Sequence, residues 1–214
     1  PEKSIVKQGC CSALINNHSL ATEIIKATQE AAGKDLPVSI KTRIGYSTIT
    51  TEAWISFLLT HNIQALTIHG RTAKELSEVP CHWDEIKKGV NIRNKIAPQT
   101  IIIGNGDIVS LSQAQQAVSD YGVDGVMIGR GIFHNPFLFS NKLREEVDIK
   151  TVLTLMNSHI TLFEQTWGEK KHYPILKKYF KIYVQGFNGA HELREKLMKT
   201  QSISEAESVI SSFL

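Results

Sequence analysis

Cysteine is scarce. The chain has three, Cys10, Cys11 and Cys81, and none shares a metal-ligand spacing with a partner. Vicinal cysteines rarely bridge each other, so a disulfide framework is excluded and a reducing compartment, the cytosol, is the expected setting. Aromatic residues make up only 7%, which leaves Ile, Val, Leu and Ala to build the interior, as in an α/β core. No run approaches the roughly 18 uninterrupted apolar residues of a membrane span, and no signal peptide opens the chain. Neither a metal centre nor a membrane partner is expected. Strong charge imbalance is absent too. The formal net charge is +3, with a pI near 8.7, which permits a polyanionic partner without demanding one. The first residue is Pro1 rather than Met, so either something was removed or this is part of a longer chain.

What is present is an ordinary globular composition, 42% apolar and 21% charged over 214 residues. The most informative stretch is Ile101–Ile132. It holds two apolar runs, Ile101-Ile102-Ile103 and Val126-Met127-Ile128, followed by Gly104-Asn105-Gly106-Asp107 and Gly129-Arg130-Gly131. A β-branched run ended by glycine reads as a buried strand opening into a tight loop. Glycine there lets the backbone approach a ligand, and successive N–H groups make a nest for an anion. Two such units joined by a helix over Ser112–Tyr121 look like the last two βα units of a (β/α)8 barrel, whose loops commonly hold a phosphate. A phosphate-bearing cofactor or substrate is the expectation.

Upstream, Pro1–Gly9 reads as a polar, basic loop. A cap at Asn17 or Ser19 leads into a helix over Leu20–Ala32, stopped by Gly33. Leu36–Gly45 reads as a strand, Thr51–His61 as a helix, Ala65–Ile68 as a strand, and Asp84–Ile96 as a helix. Four βα units therefore run head to tail, each with polar residues after its strand. That is half a barrel. Downstream, helices are expected over Thr151–Trp167, Tyr173–Gln185, Ala190–Leu197 and Ser204–Leu214. The charged stretch before them suggests two domains, 1–147 from the barrel and 148–214 all helical.

Lys41 and Arg43 alternate with apolar neighbours at the end of the first strand, and His69 and Arg71 repeat the arrangement one strand later. Each pair alone reads equally well as a solvated strand terminus. Together, at equivalent positions of adjacent strands, they converge on one site. That site would suit a flavin phosphate, a flavin ring gaining negative charge, or a phosphodiester. Asn105, Gly106 and Asp107, paired with Gly129 and Arg130, read as a phosphate cradle. Lys177, Lys178 and Lys181, interleaved with Tyr179 and Tyr183, form either a solvated helix face or a stripe for nucleic-acid backbone. The cysteines have no neighbour in sequence that would activate them and read as small core or loop residues.

Taken together, Val38–Gly45 (VSIKTRIG), Thr67–Thr72 (TIHGRT), Ile103–Ile108 (IGNGDI) and Asp124–Gly131 (DGVMIGRG) resemble the tRNA-dihydrouridine synthase family. So do Asn135-Pro136 and the tail with Gly186–Ala190 and Leu193-Arg194. The resemblance runs over almost the whole chain. It implies an FMN-binding (β/α)8 TIM barrel, of which this chain holds about the C-terminal half, followed by a small helical domain that binds tRNA. The implied activity is NADPH-dependent reduction of uridine to 5,6-dihydrouridine in tRNA, in the cytoplasm, with hydride passing from flavin N5 to uracil C6. By the same resemblance Lys41 and His69 contact the flavin, and Asn105, Gly106, Asp107, Gly129 and Arg130 hold its phosphate end. Arg43 and Arg71 lie on the substrate side. Lys177, Lys178, Lys181 and Arg194 face tRNA phosphates. The family's general acid is a cysteine preceding a proline. Pro1 matches that proline, so the acid is expected immediately before it, no catalytic residue is expected within the chain, and these residues alone are expected to be inactive; Cys10 and Cys11 fall too far along. Two other readings stand beside this one: a non-catalytic RNA-binding fragment, and an FMN barrel reductase acting on a small molecule.

Overall fold

A computed structural model of the chain describes residues 3–140 and 142–214. Pro1, the expected follower of a catalytic cysteine, lies outside the described residues. The chain divides into two compact units, Pro1–Gly131 and Ile132–Leu214.

The first unit alternates helix and strand. A short helix α1 (Lys3–Lys7) and a 3-10 turn (Cys11–Asn16) precede α2 (His18–Ala32). There follow β1 (Ser39–Arg43), α3 (Thr51–Leu59), β2 (Ala65–His69), α4 (Trp83–Ile96), β3 (Ile101–Asn105), α5 (Leu111–Tyr121) and β4 (Gly125–Met127). The loop expected over Pro1–Gly9 is instead helical at Ser4-Ile5-Val6, where no glycine or proline opposes a turn, and Gly9 then ends it at φ +79°. Of the two candidate caps, Asn17 serves: its side chain accepts the Leu20 N–H. Ser110 does the same for Gln113 at the start of α5.

The four strands form one parallel sheet in the order β1-β2-β3-β4. Pairing is in register, with Arg43 opposite His69, His69 opposite Asn105, and Asn105 opposite Met127. Alternation then sorts the side chains by face. Leu66, Ile68 and Ile102 are fully buried against Ile55, Leu58 and Ile86 of the helices, each burial being favourable by roughly 1.5–3 kcal/mol. The opposite face carries Lys41, Arg43, Thr67, His69, Ile101, Ile103, Asn105 and Met127. Ile101, though apolar, is 50% exposed there. The cover of that face is partial, since Thr67 and Asn105 are buried on it while Lys41, Ile101 and Met127 are exposed.

The second unit is helical. Its elements are α6 (Gly131–His134), α7 (Ile149–Trp167), α8 (Pro174–Lys177), α9 (Phe180–Tyr183), α10 (Ala190–Lys199) and α11 (Ile203–Phe213). Val152, Met156, Ile160, Phe180, Leu193 and Ile210 form its core. The single helix expected over Tyr173–Gln185 is two short ones. Between them Tyr179 N–H bonds the Leu176 carbonyl and Ile182 N–H the Tyr179 carbonyl, a three-residue spacing that tightens the helix and breaks its run. The units divide earlier than the charge run at 142–150 suggests, because Phe137 and Val147 pack on the helical core. Among the described residues no helix is long and apolar enough to cross a membrane, and no group of three or more His, Cys, Asp or Glu side chains is placed to hold a metal.

Candidate functional site

Parallel pairing brings the carboxyl ends of β1, β2, β3 and β4 to one edge of the first unit, and the register sets Arg43, His69, Asn105 and Met127 in a row across it. Lys41 stands one pleat below Arg43 on the same face. A cleft of about 530 Å³ runs along β1, and Lys41, Arg43, His69 and Cys11 share its lining with apolar Ile24 and Trp54.

The charges in this row are poorly balanced. Lys41 makes no hydrogen bond or ion pair among the described residues, and its pKa is lowered, first by burial and then by Arg43. Arg43 is lowered in the same way, by burial and then by Arg71, while its Nη1 donates to the carbonyls of Thr72 and Leu76. His69 is pushed down to about 4 by burial and by the cations Arg43, Lys41 and Arg71, against the opposing pull of Asp107. It is therefore neutral near pH 7. A half-buried cluster of cations with one neutral imidazole is a site that favours an anion.

The loops after β2 and β3 are locked together. Arg71, only 3% exposed, donates from Nε to the Val79 carbonyl at 2.6 Å and from Nη2 to Asp107 Oδ2 at 2.5 Å. Its Nη1 lies 3.4 Å from His69 Nε2. Asp107 Oδ2 also accepts the Cys81 N–H at 2.9 Å. Burial raises the Asp107 pKa, but its bonds from Arg71 and Cys81 outweigh that and hold it below the usual carboxylate range. The Cys81 thiol is wedged between Gly70 and Gly106, where a Cβ on either glycine would collide with it; burial pushes it up to about 11. Trp83 Nε1 donates to the Gly106 carbonyl at 3.2 Å, and its indole lies against Gly104, where a Cβ would come within 2.5 Å of the ring.

The residues singled out from sequence thus fall into three groups. Lys41, Arg43, His69, Arg71, Asn105, Gly106 and Asp107 are brought together by the sheet. Of these, Arg71 and Asp107 spend their polar atoms on each other, and the Asn105 amide donates to the Met127 carbonyl at 2.8 Å. Gly129 and Arg130 follow β4; both are exposed, nothing would obstruct a Cβ at Gly129, and the charge of Arg130 reaches Asp107. Lys177, Lys178, Lys181 and Arg194 belong to the helical unit. There Lys177 Nζ donates to the Met198 carbonyl and Arg194 Nη1 to that of Val184. Lys178 lies 4.8 Å over the Tyr179 ring, and Lys181 is exposed.

Cys11, Cys81 and Trp83 escaped the sequence reading as parts of the site. Cys81 and Trp83 come from the excursion between β2 and α4, and no spacing announces that it folds back over the strand ends. Cys11 carries one signal only in the structure, a backbone φ of +57°, rare outside glycine.

A family model described as "Dihydrouridine synthase (Dus)" matches residues 1–213. The chain belongs to this family. Over its full length it is 44% identical to the "Probable tRNA-dihydrouridine synthase" of Staphylococcus aureus strain Mu50, covering 64% of that protein. Identity is again 44% with the protein of the same name from Staphylococcus epidermidis strain ATCC 35984, covering 65% of it. The "Probable tRNA-dihydrouridine synthase 2" of Bacillus subtilis strain 168 is 39% identical, again over all of this chain and 65% of the relative. The chain thus spans 64–65% of the length of these family members.

Proposed function

We propose that the four strands are the C-terminal half of an FMN-binding (β/α)8 barrel, and that the whole protein reduces uridine to 5,6-dihydrouridine in tRNA with NADPH as reductant. Two features support the barrel: the partly exposed second face of the sheet, and the cleft beside the edge of β1 that no strand pairs among the described residues, which is what a sheet leaves open before it closes. The observation that carries the function is the row of Lys41, Arg43 and neutral His69 on that face, in which neither cation is in an ion pair among the described residues, although Asp107 and Glu75 act on the row from the neighbouring loops.

These residues fit a flavin. Its phosphate requires cations and free N–H groups, which exposed Arg130 and the unobstructed backbone at Gly129 offer beside Gly106. Its ring requires an apolar bed with donors at one edge, which Met127 and Ile103 provide together with Lys41 and His69. When bound and reduced by NADPH, FMN supplies the hydride delivered to uracil C6. Lys41 is an ammonium with no hydrogen-bond or ion-pair partner among the described residues, and it stabilises negative charge on a carbonyl oxygen brought to it. His69, being neutral, adds a hydrogen bond without further repulsion. Arg71 and Asp107 hold the two loops in place, and Arg43 lies on the substrate side. We assign the proton at uracil C5 to no residue of the chain.

The helical domain, residues 148–214 with the lead-in 132–147 packed on it, is the tRNA-binding part. Lys178 and Lys181 are its phosphate contacts, since among the described residues their ammonium groups bond no carbonyl; Lys177 and Arg194 are further candidates. Backbone contacts there offset the few kcal/mol that extruding a base costs. The protein's setting is the cytoplasm. The test is direct: full-length protein is mixed with FMN, NADPH and hypomodified tRNA, and uridine is examined by mass spectrometry. A gain of two mass units on uridine is expected, and flavin uptake without that gain refutes the tRNA reading.

A further inference from the structure

We propose that Arg71 sets the tautomer of His69, so that the ring carries its proton on Nδ1 and presents that N–H, not a lone pair, to what binds on the sheet's open face. The part about presentation rests on the reading of the site given above; the tautomer does not.

Nη1 of Arg71 lies 3.4 Å from His69 Nε2, within hydrogen-bond reach. A guanidinium has five N–H donors and no acceptor. If the two atoms share a hydrogen bond, Nε2 must supply the lone pair, and a neutral ring then has its proton on Nδ1. The guanidinium is not free to leave. Nε is held by the Val79 carbonyl, Nη2 by Asp107 Oδ2, and Asp107 in turn by the Cys81 N–H. Two loops thus converge to fix one side chain against one ring nitrogen. The doubly protonated ring is disfavoured by its surroundings, since Arg43 and Lys41 from β1 and Arg71 from its own loop face it, with Asp107 the sole opposing charge among those acting on it. Arg71 is then a positioning residue: it acts through His69, deciding which nitrogen of that ring donates.

The test uses full-length protein labelled with ¹⁵N at histidine. Long-range proton–nitrogen spectra report which ring nitrogen carries the proton, and His69→Gln identifies the signal. The expected result at neutral pH is Nδ1–H in the wild type, with Nδ1 shifting on FMN addition and Nε2 holding still. Arg71→Met should move the ring to Nε2–H or a mixture, and Arg71→Lys should restore part of the Nδ1–H form. Should Arg71→Met fail to fold, Asp107→Asn loosens the same guanidinium and should also give a mixture. A wild-type ring protonated on Nε2, or on both nitrogens, overturns the proposal, as does a tautomer unchanged in Arg71→Met or Asp107→Asn. FMN uptake is followed separately by absorbance. Loss of uptake in a protein with Nδ1–H would sink the flavin reading alone.

Discussion

Gly106 is the position where sterics, backbone conformation and the candidate site meet, and Gly106→Ala should damage all three. Its φ is +138°, a region closed to L side chains except at a cost of about 1–3 kcal/mol. An added Cβ would also collide with the Cys81 Sγ, lie 3.0 Å from the Cys81 Cβ and 3.4 Å from Cδ2 of His69. Overpacking of that kind costs about 1–3 kcal/mol. The sum is about 2–6 kcal/mol, a large fraction of the ~5–15 kcal/mol that holds a domain folded. For a chain of this size it corresponds to a Tm lowered by at least about 4 °C. The two contributions can be separated. Cys81→Gly removes both sulfur and Cβ, so in that background Gly106→Ala should keep the backbone cost and lose the collision. A double-mutant cycle by urea unfolding should then show a coupling of about 1–3 kcal/mol. Flavin affinity should fall in Gly106→Ala because the methyl group presses on His69. Stability within about 0.5 kcal/mol of wild type, or a coupling of zero, would show that the loop is not built as described.

Lys41→Met removes a cation with no hydrogen-bond or ion-pair partner among the described residues, so folding stability should hold or rise while flavin affinity drops. Loss of a charge-assisted bond of about 1.5–3 kcal/mol means roughly 10- to 150-fold weaker binding by fluorescence titration; unchanged affinity would remove Lys41 from the site. Acid should destabilise the protein through His69. Its folded pKa is about 4 against an ordinary 6.5, so between those values the unfolded chain binds the extra proton and stability falls as pH drops from 6.5 to 4. Partial exposure keeps the effect on the order of 1 kcal/mol, and Asp107, lowered from 3.8, contributes only below that window. Urea midpoints of His69→Gln should change less over this range, and equal slopes would refute the assignment. In the helical unit, Lys178→Ala and Lys181→Ala should each reduce the salt dependence of tRNA binding by about one unit of slope without loss of stability. Arg194→Ala should instead lower stability by about 1 kcal/mol, since its guanidinium caps the Val184 carbonyl. The reverse pattern in filter binding and thermal melts would exchange those roles.

Periodicity and punctuation were enough to place β1 to β4 and the helices between them. A β-branched run such as Ile101–Ile103 closed by Gly104 has few other conformations open to it, and the alternation Lys41, Arg43 announces two side chains on one face. The local chemistry of Asn17 likewise specified a helix start, because a cap bonds an N–H only three residues away. What lay beyond the reach of sequence is long-range. The guanidinium of Arg71 donates to Val79 and Asp107, from two different loops, partners that no spacing in the sequence announces. Cys81, inconspicuous in the chain, becomes the wedge between Gly70 and Gly106. Arg194 and Lys177, basic residues on exposed-looking helices, end on backbone carbonyls that only the folded chain brings to them. Hydrogen-bond partners within a few residues are dictated by the backbone's own geometry, whereas those separated by tens of residues depend on how strands and loops are stacked. Local order was therefore written in this protein's residues one stretch at a time. The division of its cations into free and committed, on which the candidate site rests, was decided by tertiary structure.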